Sequence, residues 1–158
     1  MKLTAHMKKF VEEQALGLVA TVCPDGTPNL SLKGKTSVWD DEHLVFLHLH
    51  SPGTVANLLR NPGVEVNVVD PILRKGYRFK GTGRVLTEGQ EFERVCRFFE
   101  AQRGTRRERV KAAVLVKVES AAPLVSPVYD DGTPEREVVR RWTRRYADLH
   151  DLSLNLDR

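Results

Sequence analysis

From Thr4 to Gln14 the apolar residues Met7, Phe10 and Val11 recur at helical intervals behind a threonine suited to an N-cap, so the chain opens on a short amphipathic helix. Residues 16–23 (LGLVATVC) are rich in strand formers, and the run PDGTP at 24–28 is turn chemistry that folds the next strand back on them. In that second strand Leu30 and Leu32 alternate with Asn29, Ser31 and Lys33. One face is therefore apolar, while the other carries an amide, a hydroxyl and an ammonium in a row. After the turn at Asp40-Asp41-Glu42, residues 43–50 predict a third strand with Val45, Leu47 and Leu49 on one face and Phe46, His48 and His50 on the other.

Ser51 to Arg60 reads as a short helix, with Ser51 at the N-cap, Pro52 at the first helical position and Asn61-Pro62-Gly63 to stop it. Strand alternation resumes at 64–68 (VEVNV), breaks at Asp70-Pro71, and returns at 77–80 (YRFK) ahead of Gly81-Thr82-Gly83, whose glycines suggest a bulge or bend. A helix over 89–102 turns Phe92, Val95, Cys96 and Phe99 inward, and 112–118 forms the last long strand. Beyond Pro123 an irregular stretch leads into a C-terminal helix at about 133–149, with Val138, Val139, Trp142, Tyr146 and Leu149 as its apolar stripe.

About six mostly antiparallel strands with short helices between and after them predict a mainly β protein, a small β-barrel with helical additions. No G-x-G-x-x-G sequence or Walker loop favours a doubly wound sheet instead. No linker or repeat divides the chain, so residues 1–158 are expected to form a single domain.

Composition narrows the setting. With 41% hydrophobic and 29% charged residues the sequence is that of an ordinary soluble domain, and no apolar run approaches the ~20 residues of a membrane span. The N-terminus lacks the hydrophobic core of a signal peptide, and only Cys23 and Cys96 are present, so a cytoplasmic protein without disulfides is expected. The net charge of +4 gathers in Arg136, Arg140, Arg141, Arg144 and Arg145, a basic helix face interleaved with apolar positions; no nucleic-acid or membrane partner is expected.

Candidate chemistry centres on Ser51-Pro52-Gly53-Thr54. A helix that starts this way offers free N–H groups, the positive end of the helix dipole and two hydroxyls, all suited to a phosphate. His48 and His50 share a strand face, but no third ligand stands at a recognisable spacing and no metal is expected.

The order PNLSLKG, then LVFLHLHSPGTVANLLRNPGVEVNVVDP, then YRFKGTGRV resembles the FMN-binding split-barrel proteins related to pyridoxamine 5'-phosphate oxidase. The resemblance implies a six-stranded antiparallel split barrel with flanking helices, a homodimer, and non-covalent FMN shared at the interface. It places Asn29, Ser31 and Lys33 on the flavin-contacting strand, His48, Ser51, Gly53 and Thr54 at the phosphate corner, and Arg78 on the strand that reaches across the dimer. Many relatives carry Lys or Arg where this chain has Gly53, and Lys33, Lys35, His50 or a partner-chain arginine are the candidates to replace that cation. The contact set of true pyridoxamine phosphate oxidases for substrate phosphate is absent, so the resemblance implies a flavin-dependent oxidoreductase acting on an unidentified small molecule. Its catalytic residues are unassigned. A deazaflavin-dependent reductase, or a module that holds flavin or haem without turnover, are the alternatives.

Overall fold

A computed structural model describes residues 1–153. Helix α1 (Ala5–Gln14) is followed by strands β1 (Gly17–Val22), β2 (Pro28–Lys33), β3 (Ser37–Val38) and β4 (His43–His48). Helix α2 (Pro52–Arg60) then leads to β5 (Gly63–Asp70), β6 (Lys75–Leu86), α3 (Gln90–Arg103), β7 (Ala112–Val125) and α4 (Glu135–Leu149). One-turn 3₁₀ helices at Arg107–Arg109 and Pro127–Tyr129 complete the order.

All strands join one antiparallel sheet in the order β2-β1-β5-β6-β7-β4-β3. It has seven strands where the alternation predicts six, because the two-residue β3 is too short to leave a pattern. The sheet curls into a half-barrel. Inside it Val19, Phe46, Val66, Val68, Phe79, Val114 and Val116 form the main core, with Phe10 and Val11 of α1 and Leu58 of α2 packed against them. A second core lies on the far side of β4 and β7, where α3 brings Phe92, Val95, Cys96 and Phe99 against Val45, Leu47 and Leu115.

Local chemistry accounts for the element ends. Thr4 caps α1 by accepting from the Met7 amide. The register of β6 shifts between Lys80 and Gly81, and a Cβ at Gly81 would stand only 1.9 Å from the Lys117 carbonyl oxygen, so the bulge expected at the glycines requires this one. The last strand extends to Val125, seven residues past the predicted end, and takes in Pro123. Its β4 partner stops at Lys117, which leaves the missing proline N–H on an unpaired side. Strand β4 ends at His48, so Leu49 and His50 lie outside the predicted strand: the chain turns there into α2. In α4 the predicted stripe is only partly used, with Val138 buried and Leu149 58% exposed.

Among the described residues no helix is long and apolar enough to cross a membrane.

Candidate functional site

Strand β2 is turned the opposite way from an ordinary surface strand. Leu30 and Leu32 are 65% and 66% exposed, whereas Lys33 is 6% exposed and Asn29 and Ser31 are partly buried. Register explains the geometry: Asn29, Ser31 and Lys33 stand opposite Thr21, Val19 and Gly17, which face the half-barrel's interior. Polar residues on an interior face contradict the burial pattern that stabilises a fold, and such local conflicts mark functional positions.

The sheet does not hydrogen-bond β2 to β4, which stand on opposite sides of its order. Curvature makes the approach instead. Across the interior the Lys33 ammonium stands 5.6 Å from the Phe46 ring centre, and its Nζ donates to Ser51 Oγ at 2.6 Å. Lys33 forms no ion pair among the described residues. Burial accordingly pushes its pKa down.

The start of α2 meets this row. Ser51 occupies the N-cap position but its oxygen serves Lys33, and among the described residues no side chain caps the helix, which leaves the Gly53 and Thr54 amides at the helix start without a side-chain acceptor. Thr54 Oγ1 lies 3.0 Å from Ser31 Oγ and accepts from Asn29 Nδ2 at 3.3 Å. His48 Nδ1 accepts from the Ser51 amide at 3.0 Å, which fixes the neutral ring with its proton on Nε2 and holds the corner's bend. Burial, and then the charges of Lys33, Lys111 and His50, push the His48 pKa down. The corner is thus cationic and rich in donors.

Seven of the eight expected residues, Asn29, Ser31, Lys33, His48, Ser51, Gly53 and Thr54, therefore converge on one corner. Arg78 does not. It lies on the outer face of β6, opposite Asn67, and its Nε pairs with Glu65 at 3.0 Å. Of the candidates to replace a cation at Gly53, Lys33 is in place, while Lys35 is bound to the Arg103 carbonyl (2.7 Å) and Thr105 Oγ1 (2.9 Å) at the end of α3. His50 is exposed and lines, with Lys33, Leu47, Leu49 and Ser51, a cleft of about 300 Å³ beside the corner.

Two supporting residues escaped the sequence reading. Thr21 Oγ1 accepts from Asn29 Nδ2 and from Asn57 Nδ2, both at 3.1 Å, and so ties β2 to α2 through β1. The signal for Asn57 was available: it is an amide on the buried face of α2, beside Leu58.

A family model described as "Pyridoxamine 5'-phosphate oxidase" matches residues 3–122. Among solved structures, HupZ of Group A Streptococcus is 31% identical over 78% of this chain and 95% of its own, with a TM-score of 0.70. An F420 reductase is 21% identical over 76% of this chain and 98% of its own, with a TM-score of 0.60. An FMN-binding protein from Syntrophomonas wolfei is 17% identical over 77% of this chain and 90% of its own, with a TM-score of 0.59. The last two share the fold. No curated protein sequence matches the chain significantly.

Proposed function

From the premise that this chain belongs to the pyridoxamine 5'-phosphate oxidase family, we propose that it is a homodimeric flavoprotein, a single domain that binds FMN without a covalent link and acts as an oxidoreductase on a small organic molecule. One observation carries the reading: among the described residues Lys33 is buried without a carboxylate, beside a helix start whose first amides have no side-chain cap. A buried cation is costly unless an anion accompanies it. A phosphate supplies that anion.

The residues present fit such a group. Lys33, the hydroxyls of Ser51 and Ser31, and the Gly53 and Thr54 amides would bind the phosphate. His48, through its bond to the Ser51 amide, would hold the bend. Leu47 and Leu49 offer an apolar wall in the adjoining cleft, against which a planar ring would be kept from water. Bound FMN would supply the redox chemistry by taking up and passing on a hydride or single electrons. The side chains of the corner bind and orient, and none is assigned a proton transfer.

Support for the dimer comes from the sheet's outer face. Leu30 and Leu32 are exposed there beside Leu18, Ala20 and Val22, and a second copy related by a two-fold axis would cover them. Arg78 occupies the same face, so in this reading it serves a site shared with the second copy. Two free cysteines and the absence of a long apolar helix among the described residues agree with a cytoplasmic setting.

A deazaflavin is the second reading, favoured by the F420 reductase that shares the fold. The absorbance spectrum of the purified protein, repeated after reconstitution with each cofactor, separates the two. FMN should restore a bound flavin spectrum at one per chain, and reduction of the bound flavin by a nicotinamide donor, followed by reoxidation, separates an enzyme from a module that only holds its ligand. Failure of FMN to bind would overturn the proposal.

A further inference from the structure

Helix α3 ends at Gly104, whose left-handed backbone (φ 62°) turns the Gly104 and Thr105 amides back onto the Glu100 and Phe99 carbonyls. Thr105 is thereby pinned on the wall of the cleft beside the corner, where it is 5% exposed. Its Oγ1 accepts from Lys35 Nζ at 2.9 Å. An ammonium only donates, so the roles in this bond are fixed and the threonine's own proton is left over; no acceptor for it stands among the described residues. A buried hydroxyl whose proton has no acceptor, on the wall of an open cleft, is one that a ligand satisfies.

Lys35 repeats the pattern. Two of its ammonium protons go to the Arg103 carbonyl (2.7 Å) and to Thr105 Oγ1, which holds the side chain at the cleft, and the third has no acceptor among the described residues. His50 lines the same cleft and brings a ring N–H. Among the described residues no Asp or Glu lines it, and Lys35 takes part in no ion pair. This end of the cleft therefore offers donors and positive charge without acceptors. A carboxylate brings two acceptor oxygens and one negative charge, which match the spare protons of Lys35 and Thr105. A neutral ligand leaves the charge unanswered.

Resting on the cofactor reading, we propose that Lys35 and Thr105, with His50 beside them, bind the carboxylate of the molecule on which the flavoprotein acts, so that its substrate is a small organic acid. The two anions have separate partners. The cofactor phosphate falls to Lys33, Ser51 and the first amides of α2, and none of these bonds to Lys35 or Thr105 apart from sharing the cleft. The end of α3 thus serves the substrate, while the start of α2 serves the cofactor.

The test titrates the FMN-loaded full chain with benzoate, and with benzamide as its neutral counterpart, by calorimetry and by the absorbance of the bound flavin. Benzoate should bind at least about tenfold more tightly than benzamide, the scale of one charge-assisted hydrogen bond, and should shift the flavin spectrum. Lys35→Met should remove that preference. Thr105→Val keeps the shape of the side chain, loses only the hydroxyl, and should weaken benzoate about threefold to tenfold even if the lysine variant disturbs the end of α3. Both variants should change the Kd of FMN by less than about threefold. Equal binding of benzoate and benzamide, binding of neither, or benzoate binding without a flavin shift would overturn the inference and leave the cofactor reading standing. A loss of FMN affinity in Lys35→Met and Thr105→Val as large as the loss of benzoate affinity would assign the pair to the cofactor and overturn it too. If the wild type takes up no FMN, the cofactor reading falls and the inference with it.

Discussion

The Lys33 ammonium donates to the Ser51 hydroxyl at 2.6 Å although β2, which carries Lys33, makes no hydrogen bond with β4, which leads to Ser51. The curl of the half-barrel closes that gap, and among the described residues the charge is left without a counter-ion. Replacement by methionine keeps the length of the side chain and removes the charge. Lys33→Met should weaken FMN binding by about 10- to 100-fold, as expected for the loss of a charge-assisted contact. The same change should raise the thermal midpoint of the ligand-free protein by about 2–4 °C, since an unpaired charge no longer has to be buried. A titration and a melting curve on one preparation check both, and unchanged affinity would remove Lys33 from the site.

Gly53 offers an opposite pair of changes. Among the described residues outside its own helix, Asn29 Oδ1 alone lies within 4 Å of a Cβ placed there, and the backbone is helical, so a side chain fits without strain. Gly53→Lys should tighten FMN binding by about tenfold, and Gly53→Glu should weaken it by at least as much, because the first adds and the second opposes charge at the helix start. Titration by flavin fluorescence reads both. Equal affinities in the two variants would place the phosphate elsewhere.

Much of this was legible in the residue pattern, and the exceptions have physical causes. The alternation of Asn29, Leu30, Ser31, Leu32 and Lys33 gives two faces but not which one turns inward; here the leucines lie outside and the polar residues inside, the reverse of what hydrophobicity alone selects. Strand β4 stops at His48 because its imidazole takes the Ser51 amide and bends the chain, a bond that no spacing reveals. Lys33 and Ser51 converge through curvature, which a strand pattern does not encode. Thr21 looked like one more strand residue, and its part as a double acceptor depends on α2 lying over it. The helices fared better, since a 3.6-residue stripe such as Phe92, Val95, Cys96 and Phe99 names its own buried face.

Leu32 tests the association of two copies. At 66% exposure its replacement by aspartate costs the isolated chain little, so any effect falls on the contact between copies. Sedimentation at micromolar concentration should show a dimer for the wild type and a monomer for Leu32→Asp. The monomer should hold FMN at least about tenfold more weakly, as a site shared between subunits requires. A wild-type monomer with full flavin affinity would overturn the shared site.

His48 predicts a pH dependence. Burial, with the charges of Lys33, Lys111 and His50, holds its folded pKa below the ordinary 6.5. The unfolded chain therefore binds more protons between the two values, and stability rises with pH there. Its contribution is complete above about pH 6.5 and is lost as pH falls through the folded value. Melting curves of the ligand-free protein between about pH 7.5 and 5 should fall more steeply for the wild type than for His48→Gln, which cannot titrate. Parallel curves would show that His48 titrates as it would in solvent.

In the proposed function an anionic tail is held at the corner of Lys33, Ser51 and the first amides of α2. Parallel titrations with FMN and riboflavin, which differ only by the phosphate, isolate that contact. FMN should bind at least about 100-fold more tightly, a difference that two or more charge-assisted hydrogen bonds account for. Equal affinity for the two flavins would contradict it.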